Sequence, residues 1–238
     1  MAGDTPTPTL PATPPPPAST TPKRDAMRGA IEPIAKKMAA VGLTANKLTL
    51  IGFGIAGVAA LFAGLQWWLL AGIVGTVGSG FDMFDGAVAR VTGTVSKFGA
   101  FMDSTFDRWA EAVLYVGIIV GCTNAGFDLG AWLAAIAMGN AFMVSYTRAR
   151  AESLGFSSGR GMAAVGLAPR EVRVAILGIG LVAGGLLGGV VAWDPFGSGG
   201  AEATTGTLLF SLSLLLIAVF AAITVIQRIL FVQRQAGR

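Results

Sequence analysis

Between Phe81 and Arg108 the chain reads FDMFDGAVARVTGTVSKFGAFMDSTFDR, which sets Asp82, Asp85, Asp103 and Asp107 in an otherwise apolar sequence. A charged residue at the centre of a membrane helix costs about 2.5 to 3.5 kcal/mol on insertion scales, so four carboxylates call for a function. Their spacings, three from 82 to 85 and four from 103 to 107, put each pair on one helical face, one turn apart. Two such helices meeting face to face would form an all-oxygen pocket for hard divalent cations. Two metals on shared carboxylates bind a diphosphate, polarise its phosphorus and stabilise a leaving phosphate. A carboxylate left partly free can take the proton of an attacking hydroxyl. Gly86 and Ala89 continue the face of the first pair and Gly99 precedes Asp103 by one turn, small residues that let a ligand approach the backbone. Arg90 follows, able to neutralise carboxylates or bind a phosphate. The competing structural account pairs the acids with Arg90 and Arg108 as buried ion pairs. Four acids exceed what two arginines need, and such pairs stabilise weakly.

The elements that must position these residues follow from composition. Of 238 residues 53% are hydrophobic and only 13% charged, against roughly 25% charged in a soluble domain. The expected fold class is all-α, a polytopic membrane protein with six transmembrane helices near 48–66, 69–89, 98–121, 129–147, 172–192 and 206–227. All 17 Lys and Arg fall in the N-terminal segment, the second/third and fourth/fifth connections with their flanks, or the C-terminal end. By the positive-inside rule the acidic motif and both termini are cytoplasmic, in a multi-pass protein of the cell membrane. Trp67, Trp68, Trp132 and Trp193 map to the opposite boundary as an interfacial belt.

Residues 1–23 hold eight of the eleven prolines and read as a disordered tail without the apolar stretch of a signal peptide. Residues 24–42 alternate apolar and charged positions at helical spacing, interrupted by Pro33, and read as a cytoplasmic amphipathic helix. Residues 43–238 form the six-span domain. The net charge of +4 needs no nucleic acid, since a basic face beside a bilayer meets anionic lipid heads or a phosphorylated substrate. The chain has no histidine and one cysteine, Cys122, which reads as a packing residue.

The eight positions Asp82, Asp85, Gly86, Ala89, Arg90, Gly99, Asp103 and Asp107 match at every spacing the signature of the CDP-alcohol phosphotransferases, D-x2-D-G-x2-A-R-x8-G-x3-D-x3-D. The six-span layout is similar too. The resemblance implies that Asp82, Asp85, Asp103 and Asp107 bind two Mg2+ ions, with Mn2+ as a substitute, and that Asp107 is also the general base. It implies that Asp82, Gly86, Ala89, Arg90 and Gly99 line the cytidine diphosphate site. LTANKLT at 43–49 resembles the family's opening of the first span, which adds Asn46 and Thr49, although Ala45 stands where many members have proline. The implied reaction is attack of an alcohol on the lipid-side phosphorus, usually of CDP-diacylglycerol, with CMP leaving. The family also implies a homodimer.

For the acceptor, SYTRARAESLG at 145–155, PREVR at 169–173 and TVIQR at 224–228 bring several arginines to the cytoplasmic side. Arginines beside a metal-bound diphosphate suit an acceptor that carries its own phosphate. The stretches resemble those of bacterial phosphatidylinositol phosphate synthases, which implies that Arg148, Arg173 and Arg228 hold the phosphate of inositol 1-phosphate. The segment departs from that pattern in having Arg148 for lysine and Val172 in a less regular R-x-x-R. For Arg150 and Arg170, binding and simple topology weigh equally. The alternatives are a phosphatidylglycerophosphate synthase using glycerol 3-phosphate, an ether-lipid donor and, in another class, a cation transporter. The last would need midplane acids and an internal repeat, and neither is evident in the sequence.

Overall fold

The computed structural model describes residues 22–156, 165–193 and 202–237, with side chains described from Ile31 onward. The described residues form seven helices and no strand: α1 (Pro22–Ala40), α2 (Ala45–Gly64), α3 (Trp68–Val91), α4 (Lys97–Asn124), α5 (Asp128–Ser153), α6 (Arg170–Leu186) and α7 (Thr205–Ala236). The six helices α2 to α7 stand where the six apolar stretches are expected. Of these, α2, α5 and α7 are long and apolar enough to cross a membrane. α6 has only 17 residues, and α3 and α4 carry the charged motif. The expected tail lies, up to residue 21, outside the described residues.

Each long helix touches two others, in the order α2, α4, α5, α7, α6, α3 and back to α2, so the six form a closed ring. α3 and α4, expected to meet face to face, barely touch, because α2 packs along both. The two acidic pairs therefore meet only at the ends of their helices, where Arg170 Nη1 reaches both Asp82 and Asp107. Thr44 starts α2 by accepting a hydrogen bond from Lys47 N, and Ser96 starts α4 by accepting one from Gly99 N at 3.0 Å. The short turn between α3 and α4 passes through Gly93 at φ +68°, a left-handed conformation that suits glycine.

The core fills the end of the ring opposite the acids. Trp68, Tyr115, Ile118, Phe127, Phe210 and Ile217 are buried there around Cys122. Gly117 and Gly121 bring α4 so close to α2 that a Cβ at either position would strike the carbonyl oxygens of Ala60 and Ala63. Trp68 is therefore a core residue, 3% exposed and 5.3 Å from the Phe210 ring, rather than part of an interfacial belt. Trp67 and Trp132 are exposed, as a belt requires, while Trp193 leans on Phe127. The glycines of α6 serve contacts within the chain: Gly180 abuts Ser213, and Gly185 abuts Leu69.

α1 packs on α3. Its Ile31, Ala35 and Met38, one helical stripe, meet Leu48, Ala87 and Val88. Among the described side chains of α1, Ile31, Ala35 and Met38 contact protein and Ile34 is exposed.

Candidate active site

The last turns of α3 and the first turns of α4 supply the carboxylates. Asp85 is 6% exposed; its Oδ2 accepts a hydrogen bond from Thr49 Oγ1 at 2.9 Å, and its Oδ1 accepts one from Gly86 N. Thr49, expected at the nucleotide, therefore supports a carboxylate from behind. Asn46 sits exposed in the first turn of α2, close to Gly99.

A cavity of ≈ 630 Å³ opens beside α3, with Asp82, Asp85, Gly86 and Arg90 on its wall and Asp103 across from them. Ile31 and Glu32 of α1 close another side. Ala89 and Gly99 flank this cavity without lining it. A larger cavity of ≈ 900 Å³ lies between α4, α5, α6 and α7, lined by Asp103, Asp107, Ser145, Arg148, Arg170 and Arg228. Asp103 lines both cavities, so they adjoin at the acidic cluster.

The predicted arginines separate into two groups. Arg148 is half-exposed, with Nε donating to Glu152 one turn on at 3.0 Å. Arg228 is 3% exposed; its Nε donates to Val165 O at 3.1 Å and its Nη1 to Val144 O. Both line the larger cavity. Arg173 does not: it is 1% exposed and grips Glu111 through both carboxylate oxygens at 2.9 and 2.7 Å, while Nη1 donates to Ala168 O at 2.9 Å. Arg150 is exposed and lines neither cavity.

Two more residues bear on the cluster: Arg170, for which the sequence leaves binding and topology equal, and Glu111, which is not singled out from the sequence. Arg170, at the N-terminus of α6, brings Nη1 within 2.7 Å of Asp82 Oδ2 and 3.2 Å of Asp107 Oδ1. Arg108 approaches Asp107 only at 3.4 Å, and Arg90 forms no ion pair among the described residues. The counter-charge thus comes mainly from α6, a helix remote in sequence from both aspartates, which local spacing does not reveal. Glu111 carried a signal: it extends the four-residue ladder from Asp103 through Asp107. It is buried against Arg173 and ties α4 to α6.

The donor set suits hard divalent cations, since every ligand candidate is a carboxylate oxygen. Asp82 Oδ2 is buried, with the Arg170 guanidinium 2.7 Å away as its charged neighbour. Among the described residues no three carboxylates are gathered closely enough to grip an ion by themselves. The Arg170 guanidinium stands between Asp82 and Asp107 instead.

Comparison with known proteins gives the family and the fold. The family described as CDP-alcohol phosphatidyltransferase matches residues 42–233. The archaetidylinositol phosphate synthase of Pyrococcus horikoshii is 41% identical over 155 residues, 65% of this chain and 77% of its own. The phosphatidylinositol phosphate synthase of Streptomyces avermitilis is 31% identical over 209 residues, 87% of this chain and 79% of its own. The crystal structure of Mycobacterium tuberculosis phosphatidylinositol phosphate synthase with CDP-DAG bound aligns at a TM-score of 0.70 and 27% identity, covering 85% of this chain and 92% of that one. The same enzyme in complex with manganese and citrate also aligns at 0.70 and 27%, covering 85% and 88%. With the family matching residues 42–233 and the helices arranged as in the mycobacterial enzyme, this chain belongs to the CDP-alcohol phosphatidyltransferases, membrane enzymes of phospholipid synthesis.

Proposed function

We propose that the enzyme transfers the phosphatidyl group of CDP-diacylglycerol to inositol 1-phosphate, giving phosphatidylinositol phosphate and CMP. The observation that carries this reading is the pair of cavities adjoining at Asp103, one walled by the signature residues and the other by Arg148, Arg170 and Arg228. The first suits a nucleotide diphosphate and the second an acceptor with its own phosphate, since arginines bind phosphate in a bidentate manner. The names of the archaeal and bacterial relatives support inositol phosphate over glycerol 3-phosphate.

Asp82, Asp85, Asp103 and Asp107 would hold two divalent ions, Mg2+ or Mn2+, which neutralise the diphosphate when bound. Manganese in the mycobacterial enzyme supports this assignment. Asp107 borders the acceptor cavity and takes the proton of the attacking hydroxyl. The acceptor oxygen forms its bond to the lipid-side phosphorus as the bond from that phosphorus to the CMP oxygen breaks, and CMP carries away the electron pair. Arg148 and Arg228 orient the acceptor phosphate; Arg173 acts from behind through its pair with Glu111. Thr49 fixes the Asp85 carboxylate, and Gly86 and Arg90 flank the nucleotide.

In the same reading α2 to α7 are six spans, the acidic end and both termini face the cytoplasm, and the protein works as a homodimer. The 41% identity to an archaetidylinositol phosphate synthase favours one second reading, an ether-linked donor. The test is CMP release by purified protein with Mg2+, crossing CDP-diacylglycerol and CDP-archaeol with inositol 1-phosphate, glycerol 3-phosphate, inositol and serine. Turnover restricted to inositol 1-phosphate is expected. Preference for glycerol 3-phosphate would replace the acceptor assignment with that of a phosphatidylglycerophosphate synthase.

A further inference from the structure

We propose that Arg170 is a further residue of the reaction centre, a cation shared between the aspartates and the acceptor phosphate that makes metal and acceptor bind cooperatively. The proposal rests on the acceptor cavity assigned above. Nη1 of Arg170 lies 2.7 Å from Asp82 Oδ2 and 3.2 Å from Asp107 Oδ1, the carboxylates assigned to the metals. A guanidinium and a divalent ion draw on the same oxygens and repel each other, so Arg170 in this position weakens metal binding. The same side chain lines the cavity that holds Arg148 and Arg228, and it is only 22% exposed, so water screens these charges poorly.

A phosphate entering that cavity offers Arg170 a bidentate partner. As the guanidinium turns to it, Asp82 and Asp107 are released to the metal. The helix need not move, because Arg173, one turn further along α6, is anchored on Glu111 and Ala168 O. The Glu111–Arg173 pair is thus a positioning pair that fixes the base of the Arg170 side chain. By linkage, the factor by which acceptor tightens metal equals the factor by which metal tightens acceptor. Asp107 becomes available as a base chiefly when an acceptor is present, which disfavours attack by water on the donor.

The experiment is a Mn2+ titration of the purified full chain in detergent, read from the free-ion EPR signal, without donor. Wild type, Arg170→Gln and Arg170→Lys are compared with no addition, with inositol 1-phosphate, with glycerol 3-phosphate and with free inositol. Removing the guanidinium is expected to tighten Mn2+ binding about fivefold or more, and a phosphorylated polyol to tighten it by a similar factor in wild type but not in Arg170→Gln. Free inositol should do nothing. Arg170→Lys keeps the charge, and as the milder change it tests the proposal should Arg170→Gln fail to fold; its Mn2+ affinity should fall between the other two. Unchanged or weaker Mn2+ binding in the variants would overturn the proposal, as would equal tightening of all three proteins by the phosphate, which would mean direct ligation of the metal. Wild-type turnover on inositol 1-phosphate in the separate CMP-release assay, with no Mn2+ coupling in this titration, would overturn Arg170's role and leave the reaction standing. Tighter Mn2+ in Arg170→Gln here, with no wild-type turnover on any acceptor in that assay, would overturn the acceptor assignment instead.

Discussion

The two ends of the helical ring are built to opposite rules. At one end α4 lies on α2 through Gly117 and Gly121, and large side chains such as Trp68 and Phe210 fill the space between the helices. At the other end α3 and α4 barely touch, charges replace apolar contacts, and two cavities remain open. The close-packed end can tolerate the open one because α2 packs on both neighbours and transmits its fixed position to the carboxylates. Stability and chemistry are therefore separable by mutation, which few single-core domains permit.

The largest effect expected is on activity alone. Asp107→Asn should lower kcat by about 10² to 10⁴-fold, the usual worth of a positioned base, with no loss of melting temperature. A fall in melting temperature along with the rate would show that the open end also holds the fold. Next comes the link between the ends. Glu111→Gln leaves Arg173 buried without its partner and should cost about 3 to 5 kcal/mol of stability, measured by unfolding in mixed micelles. Replacing both residues with methionine should recover most of that loss, since apolar pairs of similar volume often match buried ion pairs.

At the packed end, Gly117→Ala forces a Cβ against the Ala60 carbonyl and should destabilise by about 1 to 3 kcal/mol. The molecules that remain folded should keep wild-type kcat/KM, which would sharpen the separation. Thr49→Val removes the hydroxyl donor to Asp85 and should raise the Mg2+ requirement about tenfold, read from the metal dependence of CMP release. The smallest effect belongs to Lys36→Ala. The Glu32–Lys36 pair at 2.7 Å is exposed on α1 and its loss should leave the melting temperature unchanged.

The sequence made the aspartates legible because their register is local: residues three and four apart must share a helical face wherever the helix lies. It made the helices legible because apolar runs of this length have few other uses. The ring order was not legible. Nothing in the spacing of Asp82 and Asp103 says that α2 would pack along both of their helices while these barely touch each other. Arg170 and Arg173 are one turn apart on α6, yet one reaches the aspartates and the other turns to Glu111. Which arginine faces the cavity depends on how α6 is rotated against α3 and α4, a tertiary matter. Along α1 the spacing shows a face but not what covers Ala35, because periodicity does not name the neighbour, here Leu48, Ala87 and Val88.

The account rests most heavily on the four aspartates as a two-metal site, and anomalous scattering from crystals of the enzyme grown with Mn2+ and a CDP-lipid tests it most directly. The expected map has two peaks between the last turns of α3 and the first turns of α4, within coordination reach of Asp82, Asp85, Asp103 and Asp107. A map with no peak at these carboxylates, or with its peaks elsewhere in the molecule, would contradict the account.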